Sequence, residues 1–117
     1  TALLPEVLAV RRESGARVVL ELHVPADLAY FEGHFPGLPI LPGVVQIDWA
    51  ARFALTHLPV DGGFSGMENL KFLSLVLPDA RLELALDWDQ AKKHLEFMFS
   101  SSLRKCSSGR IVFGRTA

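Results

Sequence analysis

Three stretches of the sequence alternate apolar and polar side chains with a period of two, which limits them to half-buried β-strands. They are residues 17–24, 81–89 and 94–103. In the first stretch the apolar face is formed by Val18, Leu20, Leu22 and Val24. Because successive side chains of a strand point to opposite faces of a sheet, each stretch predicts a strand with one covered face, and in the third stretch that face extends to Leu103.

Further strands are predicted over residues 6–12, 68–76 and 110–114. Turn residues separate the runs at Ser14-Gly15, at Pro78-Asp79 and at Ser107-Ser108-Gly109. A parallel crossover needs about a dozen residues or more, so these short spacings favour antiparallel neighbours. The sequence therefore predicts a mostly antiparallel sheet of five or six strands with one face covered.

One segment interrupts the strand pattern. Residues 44–58 contain no Gly or Pro and few polar side chains, with Pro42-Gly43 before them and Pro59 after them. Their length and alanine content predict a helix, and a helix that is apolar almost all round is expected to be buried. The predicted fold class is α+β, with one buried central helix wrapped by a bent antiparallel sheet, and residues 1–117 form a single domain.

Composition excludes several classes of function. Twelve Lys and Arg residues face thirteen Asp and Glu residues, so no basic excess is present to bind nucleic acid by bulk charge. No apolar run is long enough to span a membrane, and no signal peptide is recognisable. The one cysteine, Cys106, allows neither an internal disulfide nor a cysteine-based metal site. These features predict a soluble protein of a reduced compartment, the cytoplasm.

The candidate catalytic groups lie in the loop before the helix and in the helix itself. His34 lies in a loop with three Pro and three Gly, and imidazole exchanges protons readily near neutral pH. Asp48 is a carboxylate within the apolar segment, where burial without a partner is costly. The first N–H groups of the helix, from Gly43 onward, lack intrahelical acceptors and suit a developing oxyanion. A base, an acid and an oxyanion donor equip a site for removing a proton α to a carbonyl.

Two simpler interpretations of these residues stay open. A lone histidine in a loop is often structural. An aspartate near a helix start often stabilises the helix dipole.

Residues 31–54 carry a longer motif, FEGHFPGLPILPGVVQIDWAARFA. It resembles the signature of the 3-hydroxyacyl-acyl carrier protein dehydratases of the hotdog fold, which has the form G-H-F-P-x-x-P-I-x-P-G-V followed by an acidic residue in the central helix. The segment ENLKFLSLVLPDARLEL also resembles the second strand pair of that family. The resemblance covers most of the chain.

The resemblance implies a reaction and a site. His34 abstracts the α-proton of a 3-hydroxyacyl thioester, Asp48 assists departure of the β-hydroxyl as water, and the product is a trans-2-enoyl thioester. An apolar tunnel would favour the protonated form of Asp48. No metal or redox cofactor is implied. The oxyanion and substrate-binding positions are Gly43, Val44, Phe35 and Pro42.

The resemblance also implies partners. These are an acyl carrier protein that carries the substrate, and a second copy of the chain in a homodimer or a larger oligomer, with His34 and Asp48 supplied by different subunits. Short basic pairs such as Arg104-Lys105 are either solvated or contacts for an acidic carrier. Acyl chain length, and carrier protein against coenzyme A, stay open.

The motif departs from the family pattern at a few positions. Asp48 stands where long-chain members carry Glu, and residues 78–80 read Pro-Asp-Ala where Pro-Gly-Asp is usual. Such departures resemble specialised dehydratases, for example those of aryl-polyene synthesis. Two alternatives remain at this point, a hotdog acyl thioesterase and a non-catalytic module that binds acyl thioesters.

Overall fold

The computed structural model describes residues 3–31 and 39–114, which form six strands, one long helix and a short 3₁₀ helix at Ala29–Phe31. The chain passes through two strands, the long helix α1, and then four more strands. The element bounds are β1 Glu6–Arg12, β2 Arg17–His23, α1 Gly43–His57, β3 Gly63–Phe72, β4 Arg81–Asp89, β5 His94–Ser100 and β6 Lys105–Gly114.

The six strands form one sheet in the order β1-β2-β4-β5-β6-β3, and every neighbouring pair is antiparallel. The edges of the sheet are therefore β1 and β3. The predicted α+β class, with one helix and a sheet of five or six antiparallel strands, is confirmed.

The alternating strands bury one face against the helix. The core is built from the inward side chains of β2, β4, β5 and β6 together with the inner face of α1, where Trp49 and Ala50 are fully buried. Full burial of a large apolar side chain is worth about 1.5–3 kcal/mol, so this layer accounts for the attachment of the helix to the sheet. Its strand members include Leu20, Leu22, Leu84, Leu86, Leu95, Phe97, Phe99 and Ile111.

Strands β3 and β6 differ from their predicted positions. Both begin five residues earlier than the sequence indicated, at Gly63 and Lys105. The predicted turn at residues 107–109 is wrong, because these residues lie within β6. Ser107 and Ser108 pair with both neighbouring strands, and Gly109 pairs with β5. The chain turns instead at residues 101–104, where the Ser101 hydroxyl accepts hydrogen bonds from two backbone N–H groups.

Two further expectations about the strands are wrong. Leu103 does not extend the apolar face of β5, since it lies in the 101–104 turn and is 85% exposed. The Pro78-Asp79 turn does precede β4, but β3 and β4 are not neighbours in the sheet. A β-bulge near Asn69, which has a φ of 55°, interrupts the pairing of β3 with β6.

The helix is confirmed, yet its expected burial on all sides is wrong. Its buried residues are Val45, Gln46, Trp49, Ala50 and Ala54, all on the side that faces the sheet. The opposite side is exposed, with Val44 at 74% and Leu55 at 61%. One six-stranded sheet covers a single side of a helix, so half of α1 remains uncovered in this chain. No helix within residues 3–31 and 39–114 is long and apolar enough to cross a membrane.

Candidate active site

The described part of the motif begins at Pro39 and runs directly into α1. The Leu41 N–H donates a hydrogen bond to the Val76 carbonyl at 2.9 Å, which fixes the loop beside the segment that follows β3. The Pro42 carbonyl accepts hydrogen bonds from the N–H groups of Val45 and Gln46. His34 and Phe35, the predicted base and a predicted substrate contact, lie outside the described residues.

The N-terminus of α1 has the donors expected of an oxyanion site. Its N-cap is Pro42, which makes no side-chain capping hydrogen bond. Within the described part of the chain, the Gly43 and Val44 N–H groups have no hydrogen-bond acceptor. Free N–H groups at the positive end of a helix dipole attract negative charge. Gly43 and Val44, the predicted oxyanion positions, are the first two residues of α1.

Gly43 also packs closely against Phe72 of β3. A Cβ atom at this position would lie 2.6 Å from the Cε1 and Cζ atoms of Phe72. Real Cβ contacts are essentially never this short, so the Phe72 ring lies against the glycine backbone only because no side chain is present. The absence of a side chain at Gly43 lets β3 approach the helix start.

A buried polar contact holds the start of α1 in place. No local sequence pattern predicts this contact. Gln46 is 4% exposed and donates from Nε2 to the Leu41 carbonyl at 3.2 Å. Its Oε1 accepts a hydrogen bond from the Ser107 hydroxyl of β6 at 2.6 Å. Buried polar groups are costly unless paired, and here the side-chain amide of Gln46 and the hydroxyl of Ser107 satisfy each other.

Asp48 lies a little more than one helical turn after Gly43, on the uncovered side of α1. Its side chain is 51% exposed, so it is not buried as the sequence predicted. Its Oδ2 atom accepts a hydrogen bond from Nε of Arg52 at 2.7 Å. This hydrogen bond is the largest cause of a raised pKa for the Arg52 guanidinium. Residues four apart are neighbours on the surface of a helix, so the spacing of Asp48 and Arg52 is compatible with this contact, which is not among the sequence predictions.

Two apolar hollows adjoin Asp48 and the helix start. The first, of about 290 Å³, has Asp48 in its wall. Its other lining residues are Val44, Ile47, Ala51, Phe64, Met67 and Ile111.

The second hollow, of about 490 Å³, extends past Gly43. Its wall includes Ile40, Pro42, Gly43, Leu70, Phe72 and Leu75. Val44, Ile47 and Met67 line both hollows, which therefore form one apolar groove between α1 and β3. Pro42, Gly43, Val44 and Asp48 are brought together along it.

Another polar cluster lies on the other edge of the sheet. His23 contacts Glu6 through Nδ1 at 2.6 Å and Asp79 through Nε2 at 3.2 Å. These two carboxylates, Glu6 first, raise the pKa of His23. Local spacing predicts no acidic partner for His23, because its two partners lie 17 and 56 residues away. Within the described ranges, no group of three or more His, Cys, Asp or Glu residues could hold a metal ion.

Comparison with known proteins identifies the family of this chain. The model of the ApeI-like family, described as ApeI dehydratase, matches residues 10–110. The chain belongs to the ApeI-like dehydratase family. The predicted FabZ-like hotdog dehydratase family, with a specialised member of aryl-polyene type, is thereby confirmed.

Two solved structures have the same fold. A chain of the dehydratase heterocomplex ApeI:P from Xenorhabdus doucetiae superposes with a TM-score of 0.91 and 33% identity, covering 97% of this chain and 100% of that one. An uncharacterised protein from Erwinia carotovora subsp. atroseptica superposes with a TM-score of 0.85 and 38% identity, covering 97% and 98% of the two chains.

Curated relatives carry a name for the reaction. The chain is 35% identical over 91 residues to the 3-hydroxyacyl-[acyl-carrier-protein] dehydratase FabZ of Chloroflexus aggregans, covering 72% of this chain and 63% of the relative. The corresponding FabZ of Moorella thermoacetica is 38% identical over 89 residues, covering 70% and 61%. The match thus spans less than two thirds of the length of these relatives.

Proposed function

We propose that this protein dehydrates a 3-hydroxyacyl thioester, carried on an acyl carrier protein, to the trans-2-enoyl thioester in fatty-acid or polyene biosynthesis. One observation carries the proposal. A carboxylate, Asp48, lies in the wall of an apolar groove that continues to the free N–H groups at Gly43. A groove of this kind accommodates an acyl chain, and its two polar ends match the two oxygen atoms of the substrate.

The chemistry assigns one step to each polar group. The thioester carbonyl accepts a hydrogen bond from the Gly43 N–H, which stabilises the negative charge that develops when the α-proton leaves. His34 takes that proton, the electron pair of the Cα–H bond forms the double bond, and the Cβ–O bond breaks. The hydroxyl group leaves as water with the proton from His34, while Asp48 holds it by a hydrogen bond. Positioned acid–base groups contribute about 10²–10⁴-fold each.

The remaining predicted site residues are proposed as substrate contacts. Pro42 and Val44 line the groove beside Gly43, and 74% exposure leaves Val44 free to contact an acyl chain. Phe35 is proposed to contact the substrate beside His34. This assignment follows the motif alone.

A second copy of the chain is proposed as the partner that closes the groove. The uncovered side of α1 and the edge strand β3 expose apolar side chains along the groove, including Val44, Phe64, Met67 and Phe72. Large exposed apolar patches mark interfaces. In such a homodimer, His34 of one copy works with Asp48 of the other. The solved ApeI:P complex is a heterocomplex, so a related subunit is the other candidate for this position.

The location and organisation are also proposed. The protein is proposed to act on acyl carrier protein substrates in the cytoplasm, and residues 1–117 are proposed to form a single domain. The acidic carrier is proposed to approach basic residues such as Arg104 and Lys105.

The test is a product analysis with a 3-hydroxyacyl thioester on acyl carrier protein. We expect the conjugated enoyl thioester to form with the wild type and to fall by about 100-fold or more in His34→Ala and Asp48→Asn. Glu13→Gln serves as the control, since Glu13 makes an exposed ion pair far from the motif in sequence.

Other products would contradict the proposal. Release of free thiol with no enoyl product would indicate a thioesterase. Saturable binding without turnover would indicate a non-catalytic module that binds acyl thioesters.

A further inference from the structure

Asp48 and Arg52 form an ion pair at the entrance to the apolar groove. The bond joins Asp48 Oδ2 to Arg52 Nε at 2.7 Å across one turn of α1. The second carboxylate oxygen, Oδ1, has no hydrogen-bond partner among the residues that the structure describes. Arg52 therefore holds the carboxylate by one oxygen and leaves the other available.

The position of this pair separates it from the other ion pairs of the chain. Among the described residues that line the two hollows, Asp48 is the only charged one. Its neighbours in the wall are apolar side chains of α1, β3 and β6, such as Ile47, Met67 and Ile111. An acyl chain in the groove would remove water from Asp48 and leave Arg52 as its charged partner. A carboxylate in such surroundings stays ionised only when a cation or hydrogen-bond donors support it.

Within the described residues, Arg52 is the charged group that contacts Asp48. Tyr30, in the short 3₁₀ helix, is the other residue whose charge raises the pKa of Arg52, after the hydrogen bond and the charge of Asp48. The β3 and β6 residues that share the wall of the hollow with Asp48, namely Phe64, Met67 and Ile111, carry no charge. In the described surroundings of Asp48, Arg52 is thus the group that can hold its carboxylate in place.

We propose that Arg52 is a positioning residue, which holds the Asp48 carboxylate by Oδ2 so that Oδ1 accepts a hydrogen bond from the β-hydroxyl of the substrate. This role rests on the proposed dehydratase function. It replaces the expectation of a protonated Asp48 with that of a hydrogen-bond acceptor. The proton that leaves with the hydroxyl then comes from His34, which received it from the α-carbon, so protons balance over the cycle.

The test compares Arg52→Gln, Arg52→Lys and Glu13→Gln in the dehydration assay across pH. Glu13→Gln is a matched control, because it removes an exposed i,i+4 ion pair with the same Nε–O distance of 2.7 Å, in the β1–β2 turn. Arg52→Lys keeps a cation at the same position. Thermal unfolding of each variant establishes that the fold is retained.

We expect Arg52→Gln to lower kcat by about tenfold or more with little change in KM, since the partner orients a group that acts during the reaction. Arg52→Lys recovers most of kcat, and Glu13→Gln behaves as the wild type.

Two results would overturn the proposal. Arg52→Gln could match Glu13→Gln in kcat and in pH profile. Both Arg52 variants could lose activity together with stability, which would make the residue structural. Absence of dehydratase activity in the wild type would contradict the proposed function itself. An active wild type together with an unaffected Arg52→Gln variant would contradict only the role of Arg52.

Discussion

At the scale of single residues, Gly43 and Gln46 shape the helix start in different ways. Gly43 lets the Phe72 ring lie against the backbone. Gln46 joins the Leu41 carbonyl to Ser107 of β6 through one buried amide. The glycine sets how closely β3 approaches, and the amide sets where the loop before the helix lies.

Gly43→Ala is expected to lower dehydratase activity, because the new methyl group displaces Phe72 while the N–H group is retained. Phe72→Ala removes the ring that the methyl group meets, so activity in the double variant should exceed that of Gly43→Ala alone. The measurement is a double-mutant cycle on kcat/KM. Additive effects of the two substitutions would contradict the steric explanation.

Gln46→Leu is expected to destabilise the fold by about 1–3 kcal/mol, since it leaves the Ser107 hydroxyl and the Leu41 carbonyl buried without partners. The measurement is the free energy of unfolding in denaturant. Thr56→Ala, at an exposed position of the same helix, is the control and should change stability little. Equal stability of the two variants would show that the buried contact is not needed.

At the scale of elements, alternating side chains made β2, β4 and β5 predictable, whereas β3 was placed imprecisely. The β3 sequence, GFSGMENLKF, has no clear alternation, and nine of its ten residues are exposed. Its strand conformation comes from backbone pairing with β6, which lies some 40 residues later and leaves no local pattern. The helix was predictable because Pro42-Gly43 and Pro59 bound a segment rich in alanine.

The same distinction holds within the candidate site. The motif indicated Gly43, Val44 and Asp48. The spacing of four residues in a helix also predicts that Arg52 lies beside Asp48. The contact between Gln46 and Ser107 joins residues 61 positions apart, so it required the sheet to be known. The exposure of Asp48 could not be predicted either, because it depends on which side of the helix one sheet leaves uncovered.

The cluster of His23, Glu6 and Asp79 predicts a pH dependence of stability. The carboxylates raise the pKa of His23 in the folded chain above its unfolded value of about 6.5. The stabilisation is therefore fully present below that unfolded value, and it is lost as pH rises through the raised folded value. The cluster links β1, β2 and the turn before β4, so its loss loosens this edge of the sheet.

The measurement is the free energy of unfolding of the wild type and of His23→Gln between pH 5 and pH 9. We expect the advantage of the wild type to shrink with rising pH. His94→Gln is the control, because His94 makes no side-chain hydrogen bond within the described ranges. A difference that stays constant over this range would contradict the charged cluster.

At the scale of the whole molecule, the uncovered half of α1 and the edge strand β3 leave an apolar groove open on one side. Asp48, Val44 and Met67 all lie along it. A second copy of the chain would enclose the groove, exclude water from Asp48 and bring its own His34 motif to the site. Assembly and catalysis are therefore expected to fail together.

Met67→Glu places a charge in the groove wall and is expected to yield a monomer without activity, whereas the wild type is expected to form a dimer. Val7→Glu is the control, because Val7 has similar exposure on β1, at the other edge of the sheet. Light scattering after gel filtration measures the mass of each variant. A monomeric wild type would contradict the homodimer. A dimer that is lost in Val7→Glu but kept in Met67→Glu would place the interface elsewhere.

The central claim is that one groove binds both oxygen atoms of a 3-hydroxyacyl thioester. A crystal structure with a stable 3-hydroxyacyl-pantetheine analogue tests it most directly. We predict the analogue's carbonyl oxygen on the Gly43 N–H and its hydroxyl within hydrogen-bond distance of Asp48. An acyl chain bound away from the α1–β3 groove, with Asp48 still facing solvent, would contradict the account.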